Sequence, residues 1–189
     1  WCPGSGTPLK FVKKLPPGEA MIVKKGYIVD QWQWFQLPVF SQNQKKHNKE
    51  QSISGVRNHL RQAIHRQMVS DVPVGAFLSG GLDSSSVVAF AKEVSPDIRC
   101  FSIDTDGKKD NGIVNDLPYA KLAAKYLNVP LDIVTIDSHN MANDIEKMIY
   151  QLDEPLADPA ALNVLYISQL ARKQGIKVLL SGVGGDDLF

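Results

Sequence analysis

The chain has 189 residues, a formal net charge of +1, 43% apolar and 22% charged residues, which allows one domain with a sizeable core plus an appendage. The near-neutral charge argues against nucleic acid or a membrane surface as partner. No apolar run approaches membrane-spanning length, and no stretch reads as a signal peptide.

Residues 1–40 are broken by Pro3, Gly4, Gly6, Pro8, Pro16, Pro17, Gly18 and Pro38, which exclude a long helix. Ala20–Val23 and Tyr27–Val29 flank Lys24-Lys25-Gly26 and predict a β-hairpin with a short glycine-containing turn. Trp32, Trp34 and Phe35 alternate imperfectly and are expected to pack an edge. An opening of Trp-Cys-Pro without methionine reads as excised from a longer protein. Cys2 and Cys100 are the only cysteines and form no CxxC pair. Neither a zinc site nor a disulfide framework is indicated, and a reducing cytoplasm is the expected compartment.

Residues 41–51 are polar and lysine-rich without interleaved aromatics, so they read as a solvated linker with His47 exposed rather than ligating. From about Ser54, Val56, Leu60, Ile64 and Met68 recur at helical spacing and predict an amphipathic helix ending near Ser70. His59 and His65 fall off that stripe and are expected at the surface.

Val72–Ser86 is the densest chemical stretch. Val74, Ala76, Phe77 and Leu78 form a short apolar run, Gly80-Gly81 a tight turn, and Val87–Ala91 the body of a helix. Such a junction leaves the first N–H groups of the helix unpaired and partly positive, which favours an anion. Gly80 and Gly81 permit positive φ and close ligand approach. Ser79, Ser84 and Ser85 add hydroxyls, and Asp83 adds a carboxylate suited to magnesium. No lysine occurs between Lys49 and Lys92, so this is not a Walker A loop, and the GxGxxG dinucleotide fingerprint is absent as well.

Strands and helices then alternate. Strands are predicted at Ile98–Ile103, Leu131–Ile136 and Ile176–Leu180. Helices are predicted at Leu117–Leu127, from Asp137 or Ser138 to about Leu152, and at Leu162–Lys173, with Gly175 as C-cap. This order predicts a parallel sheet covered on both faces. Ligands in such sheets sit at the carboxyl ends of the strands. One of these is Ser79. A second, Cys100–Asp104, offers apolar and backbone groups for an adenine. The last opens a second glycine turn, Ser181–Phe189, carrying Asp186 and Asp187. Asp83 and Asp186 could face each other and share a metal, although acids also enrich ordinary helix N-termini.

The string Ser79-Gly-Gly-Leu-Asp-Ser-Ser85 closely resembles the pyrophosphate-binding loop of the N-type ATP pyrophosphatases. Three further segments occur in matching order: Leu15-Pro16-Pro17-Gly18, Asp153-Glu154-Pro155 with Asp158-Pro159, and Ser181-Gly182-x-Gly184-Gly185-Asp186-Asp187-Leu188-Phe189. Together they resemble the synthetase domain of the glutamine-dependent asparagine synthetases across nearly the whole chain. The resemblance implies an α/β fold of the adenine nucleotide α-hydrolase-like, PP-loop ATPase type, with helices on both faces of a parallel sheet and a hairpin tail before it. Residues 1–40 would be the tail of a missing glutaminase domain, and 41–189 the N-terminal part of the synthetase domain.

The implied reaction, part of asparagine biosynthesis, adenylates the side-chain carboxylate of aspartate with ATP and releases pyrophosphate. Ammonia from a glutaminase domain then displaces AMP. By motif, Asp83, Ser84 and Asp186 would be catalytic. Leu78, Ser79, Gly80, Gly81, Asp83, Ser84, Ser85, Ile103, Ser181 and Gly182 would bind the nucleotide, and Asp83 and Asp186 would hold Mg2+. The shortened chain is expected to be inactive alone, and a homodimer is one permitted assembly. Val183 and Asp187 both stand where the family carries Glu, and the first of these is tied to forming the aspartyl adenylate. Cys2 in CPGSG does not resemble the family's N-terminal glutaminase cysteine. Two other readings are another PP-loop ATP pyrophosphatase, such as a GMP synthetase or a tRNA-thiolating enzyme, and a non-catalytic nucleotide-binding domain.

Overall fold

The computed structural model describes residues 2, 4–37, 48–105, 116–154, 156, 158 and 160–188. Most of the lysine-rich linker, His47 and Phe189 lie outside the described residues, as do the side chains of Asp187 and Leu188. The chain forms two compact units, Trp1–His47 with Leu152–Ala157, and Asn48–Gln151 with Asp158–Phe189.

The first unit holds the predicted hairpin. β1 (Glu19–Lys24) pairs antiparallel with β2 (Tyr27–Gln33). Lys25 and Gly26 connect them at φ +51° and +81°, the left-handed pair that matches the twist of a two-residue hairpin. Trp32, Trp34 and Phe35 do not pack away as expected. All three stay exposed, with the Trp34 and Phe35 rings 5.8 Å apart. Leu152–Ala157 joins this unit because Lys14 Nζ meets Glu154 Oε2 at 3.1 Å and the Cys2 carbonyl at 2.5 Å.

The second unit begins with α1 (Lys49–Gln67), several turns of which were legible from the apolar stripe. Its first turn was not, because it is polar and is held by a cap rather than by burial. The Asn48 side chain accepts from the Gln51 amide, and Gln51 returns the bond to the Asn48 amide, a reciprocal capping box. His59 is exposed, whereas His65 is half-buried with Nε2 3.1 Å from Glu93 Oε2.

There follow β3 (Val74–Phe77), α2 (Leu82–Val94), β4 (Cys100–Thr105), α3 (Leu117–Leu127), β5 (Leu131–Ile136), α4 (Ser138–Tyr150), α5 (Ala160–Lys173), β6 (Val178–Leu180) and the single turn α6 (Gly185–Leu188). All strand pairings in the sheet are parallel, in the order β5-β4-β3-β6. Side chains alternate across it, as the period of two demands. Ala76, Leu78, Cys100 and Leu180 pack on one face with Ile64, Val88, Ala91 and Ala124 from α1, α2 and α3. Phe77, Phe101, Ile103 and Leu179 pack on the other with Ile167 and Ala171 from α5. Helices thus cover both faces, as predicted. Tyr166 of α5 donates to Asp144 of α4 at 2.7 Å. Burial, then that carboxylate, pushes its phenol up to about 12.

Strand order reverses around β3, with β4 and β5 on one side and β6 on the other. β3 and β6 are therefore neighbours where the strand order changes direction, the kind of switch point where open α/β sheets leave a crevice. Among the described residues no helix is long and apolar enough to cross a membrane.

Cys100 is fully buried, and burial pushes its thiol up to about 12, while Cys2 is half-buried. Only the thiolate reacts appreciably. Titration of the native protein with Ellman's reagent at pH 8 is expected to label Cys2 alone, with Cys100 following on denaturation.

Candidate functional site

β3 delivers the chain to Leu78, whose side chain is buried in the core and whose amide donates to the Phe101 carbonyl at 2.9 Å. Ser79-Gly80-Gly81 then turns the backbone into α2. Gly80 has φ +85°, and a Cβ there would lie 2.2 Å from the Tyr119 carbonyl carbon. Its missing side chain thus makes room for the first turn of α3, not for a ligand. Gly81 is the N-cap and has no side chain to bond the helix end. The first helical bond runs from the Ser85 amide to the Gly81 carbonyl at 3.0 Å. Among the described residues, the amides of Gly80, Leu82, Asp83 and Ser84 have no protein acceptor.

The hydroxyls differ in role. Ser84 is buried, and its Oγ lies 3.0 Å from Ser79 Oγ, 3.3 Å from the Ser79 amide and 3.3 Å from the Gly81 carbonyl. It ties the turn together. Ser79 is exposed, and Ser85 is half-buried with its amide already used in the helix.

The second glycine turn fits against the first. A Cβ on Gly182 would meet the Ser84 amide nitrogen at 2.8 Å, and one on Gly185 would meet Asp83 Oδ2 at 2.2 Å. The Asp83 carboxylate therefore lies over Gly185, the residue preceding Asp186. A cavity of about 380 Å³ opens at this meeting point, lined by Phe77, Ser79 and Gly81–Ser84 from one side and Ser181–Val183 and Asp186 from the other.

Of the residues singled out from sequence, this cavity brings together Ser79, Gly81, Asp83, Ser84, Ser181, Gly182 and Asp186. It leaves Leu78 in the core, Gly80 under α3 and Ser85 on the half-buried side of α2. Ile103 is also outside the cavity lining and packs in the α5-side core with Phe77 and Val134. Sequence reasoning missed Leu82 as a wall residue, although an exposed leucine between Gly81 and Asp83 was a usable signal. It also missed α3 as the support for the turn, a tertiary contact that no local pattern encodes.

Among the described residues no group of three or more His, Cys, Asp or Glu side chains forms. Two carboxylates on one cavity nonetheless suit magnesium, which takes one or two protein carboxylates and completes its shell with phosphate oxygens and water. The 13-residue α2 adds its positive end, and Asp83 in its first turn complements that dipole.

A parallel sheet with an amide-lined, carboxylate-flanked turn beside its switch point defines an α/β domain whose turn has the chemistry suited to a phosphate-type anion. The chain belongs to the asparagine synthase family, whose profile matches residues 55–189. It is 34% identical over 181 residues to asparagine synthetase [glutamine-hydrolyzing] 1 of Bacillus subtilis, covering 94% of this chain and 27% of that protein. It is 28% identical over 204 residues to the amidase chyE of Penicillium rubens, covering all of this chain and 30% of that one. The chain thus spans less than a third of the length of these curated relatives. Among solved structures, NMN synthetase from Francisella tularensis superposes with a TM-score of 0.43 at 14% identity, over 69% of this chain and 53% of that one.

The two loop glycines should respond differently to alanine. Gly80→Ala combines a left-handed backbone with backbone overlap and is expected to cost at least ~2 kcal/mol. Gly81→Ala meets only Ser79 Oγ at 3.5 Å and should cost under ~1 kcal/mol. Urea denaturation midpoints of the two variants check this.

Proposed function

We propose that the protein is an ATP-dependent amide-forming ligase that adenylates a carboxylic acid, releases pyrophosphate and transfers ammonia to the acyl group. The observation that carries this reading is the cavity where the free amides of α2 meet both Asp83 and Asp186. Negative charge grows on the β- and γ-phosphates as the bond to the α-phosphorus breaks. The amides of Leu82, Asp83 and Ser84 are fixed donors at that point, so they stabilise the charge without reorganising. No lysine is needed there.

Ser84 keeps the turn in shape, and Ser79, bonded to Ser84 through its hydroxyl, lines the same cavity. Ser181 and Gly182, at the end of β6, face the same cavity and would contact the AMP portion. Asp83 and Asp186 are the residues that would hold magnesium, which when bound neutralises charge on the departing diphosphate. The two relatives support the amide chemistry by their printed names. The glutamine-hydrolyzing label of the first suggests glutamine as the source of ammonia. Aspartate is the reference acceptor by the same analogy.

A binding-only reading is favoured by one observation. Val183, 92% exposed on the cavity wall, has no proton to exchange. It predicts nucleotide binding without pyrophosphate release under any acceptor.

For the full-length protein, calorimetry with ATP and Mg2+ is expected to show binding that Asp83→Ala and Asp186→Ala each weaken by roughly 10-fold or more, as loss of metal-site groups generally does. Binding that survives both substitutions unchanged, or no nucleotide-dependent heat in the wild type, would overturn the assignment.

A further inference from the structure

We propose that the acceptor is a carboxylic acid with an apolar body, seated between α1 and α2. The inference rests on the ligase reading and names its substrate class. A second cavity, of about 700 Å³, is lined by Ile53, Val56 and Leu60 of α1 and by Leu82, Val87 and Phe90 of α2. Its size and apolar walls fall in the range of small-molecule sites.

This cavity adjoins the phosphate-side one, and Leu82, Asp83, Ser181, Gly182 and Val183 line both. Leu82 and Val183, on the shared wall, are 83% and 92% exposed. A molecule bridging the cavities would cover both while placing its polar end beside the anion turn. Arg57 also lines this cavity and forms no ion pair with a described carboxylate. Aspartate fits less well. Its single methylene would leave Ile53, Val56, Leu60, Val87 and Phe90 uncovered, whereas an alkyl or aryl body buries them.

In the first step a carboxylate oxygen bonds to the α-phosphorus of ATP, and the bond from that phosphorus to the bridging oxygen breaks. Pyrophosphate leaves with the electron pair. The ammonia nitrogen then attacks the acyl carbon, AMP departs, and one nitrogen-bound proton passes to solvent.

The test is ATP–pyrophosphate exchange by the full-length protein with Mg2+, comparing 4-methylpentanoate and 3-phenylpropionate with aspartate. Exchange at least ~10-fold faster with the apolar acids is expected, the discrimination that one or two well-packed methylenes supply. Ile53 and Val56 are 50% and 42% exposed and lie outside the buried core, so Ile53→Glu/Val56→Glu should fold. It should lose ~10-fold or more of that exchange while ATP affinity by calorimetry stays unchanged. Preference for aspartate, equal exchange by the double variant, or ATP binding with no exchange for any acid would overturn the proposal. A wild-type protein that fails to bind ATP would instead strike the ligase reading beneath it.

Discussion

Three consecutive amides, those of Leu82, Asp83 and Ser84, have no protein acceptor among the described residues. Any helix start has such groups, and most are met by a side-chain cap or by water. Here the N-cap is glycine, which supplies no capping oxygen. Much of the surrounding architecture holds these amides in place. β3 brings them to the middle of the sheet, α3 props the turn through its contact at Gly80, and the turn after β6 presses against Asp83 and Ser84. The donors are thus fixed by three independent elements. Such rigidity suits an anion site, because donors that had to reorient would give back in reorganisation what they gain in charge stabilisation.

The fold was legible because its periodicities are strong. The helix at Leu117–Leu127 and the strand at Leu131–Ile136 emerge with the boundaries that their apolar spacing implies. Gly175 closes α5 at φ +79°, as a C-cap glycine should. Boundaries failed where something other than burial sets them. Lys49–Gln51 looked like linker because their stabilisation is a reciprocal hydrogen bond, which leaves no apolar trace. The strand expected from Ile98 begins at Cys100, since the amide of Ile98 turns back to Ser95 and the ladder starts only where Cys100 meets the Pro130 carbonyl.

The site was legible at the level of motif and less so at the level of role. Asp83 and Asp186, far apart in sequence, do share a cavity, because β3 and β6 are neighbours with both glycine turns at their carboxyl ends. The individual assignments depend on which face of a strand a residue occupies and on what packs nearby. Ile103 sits on the α5 face with Phe77, so its side chain belongs to the core. Gly80 and Gly81 are indistinguishable in a string of letters, yet one faces the backbone of α3 and the other faces open space. Spacing along the chain carries no information about that difference.

The hairpin in the first unit has a consequence for handling the protein. Every residue of β2 is exposed, and Ile22, Val23, Tyr27, Ile28, Val29 and Trp32 place apolar side chains in water. A two-stranded ribbon is marginal by itself, and its unpaired rims can template strands from other molecules. This ribbon is therefore one surface through which copies of the chain can associate. Association through such a rim needs no unfolding of the α/β unit, so turbidity alone is a poor measure of that unit's stability.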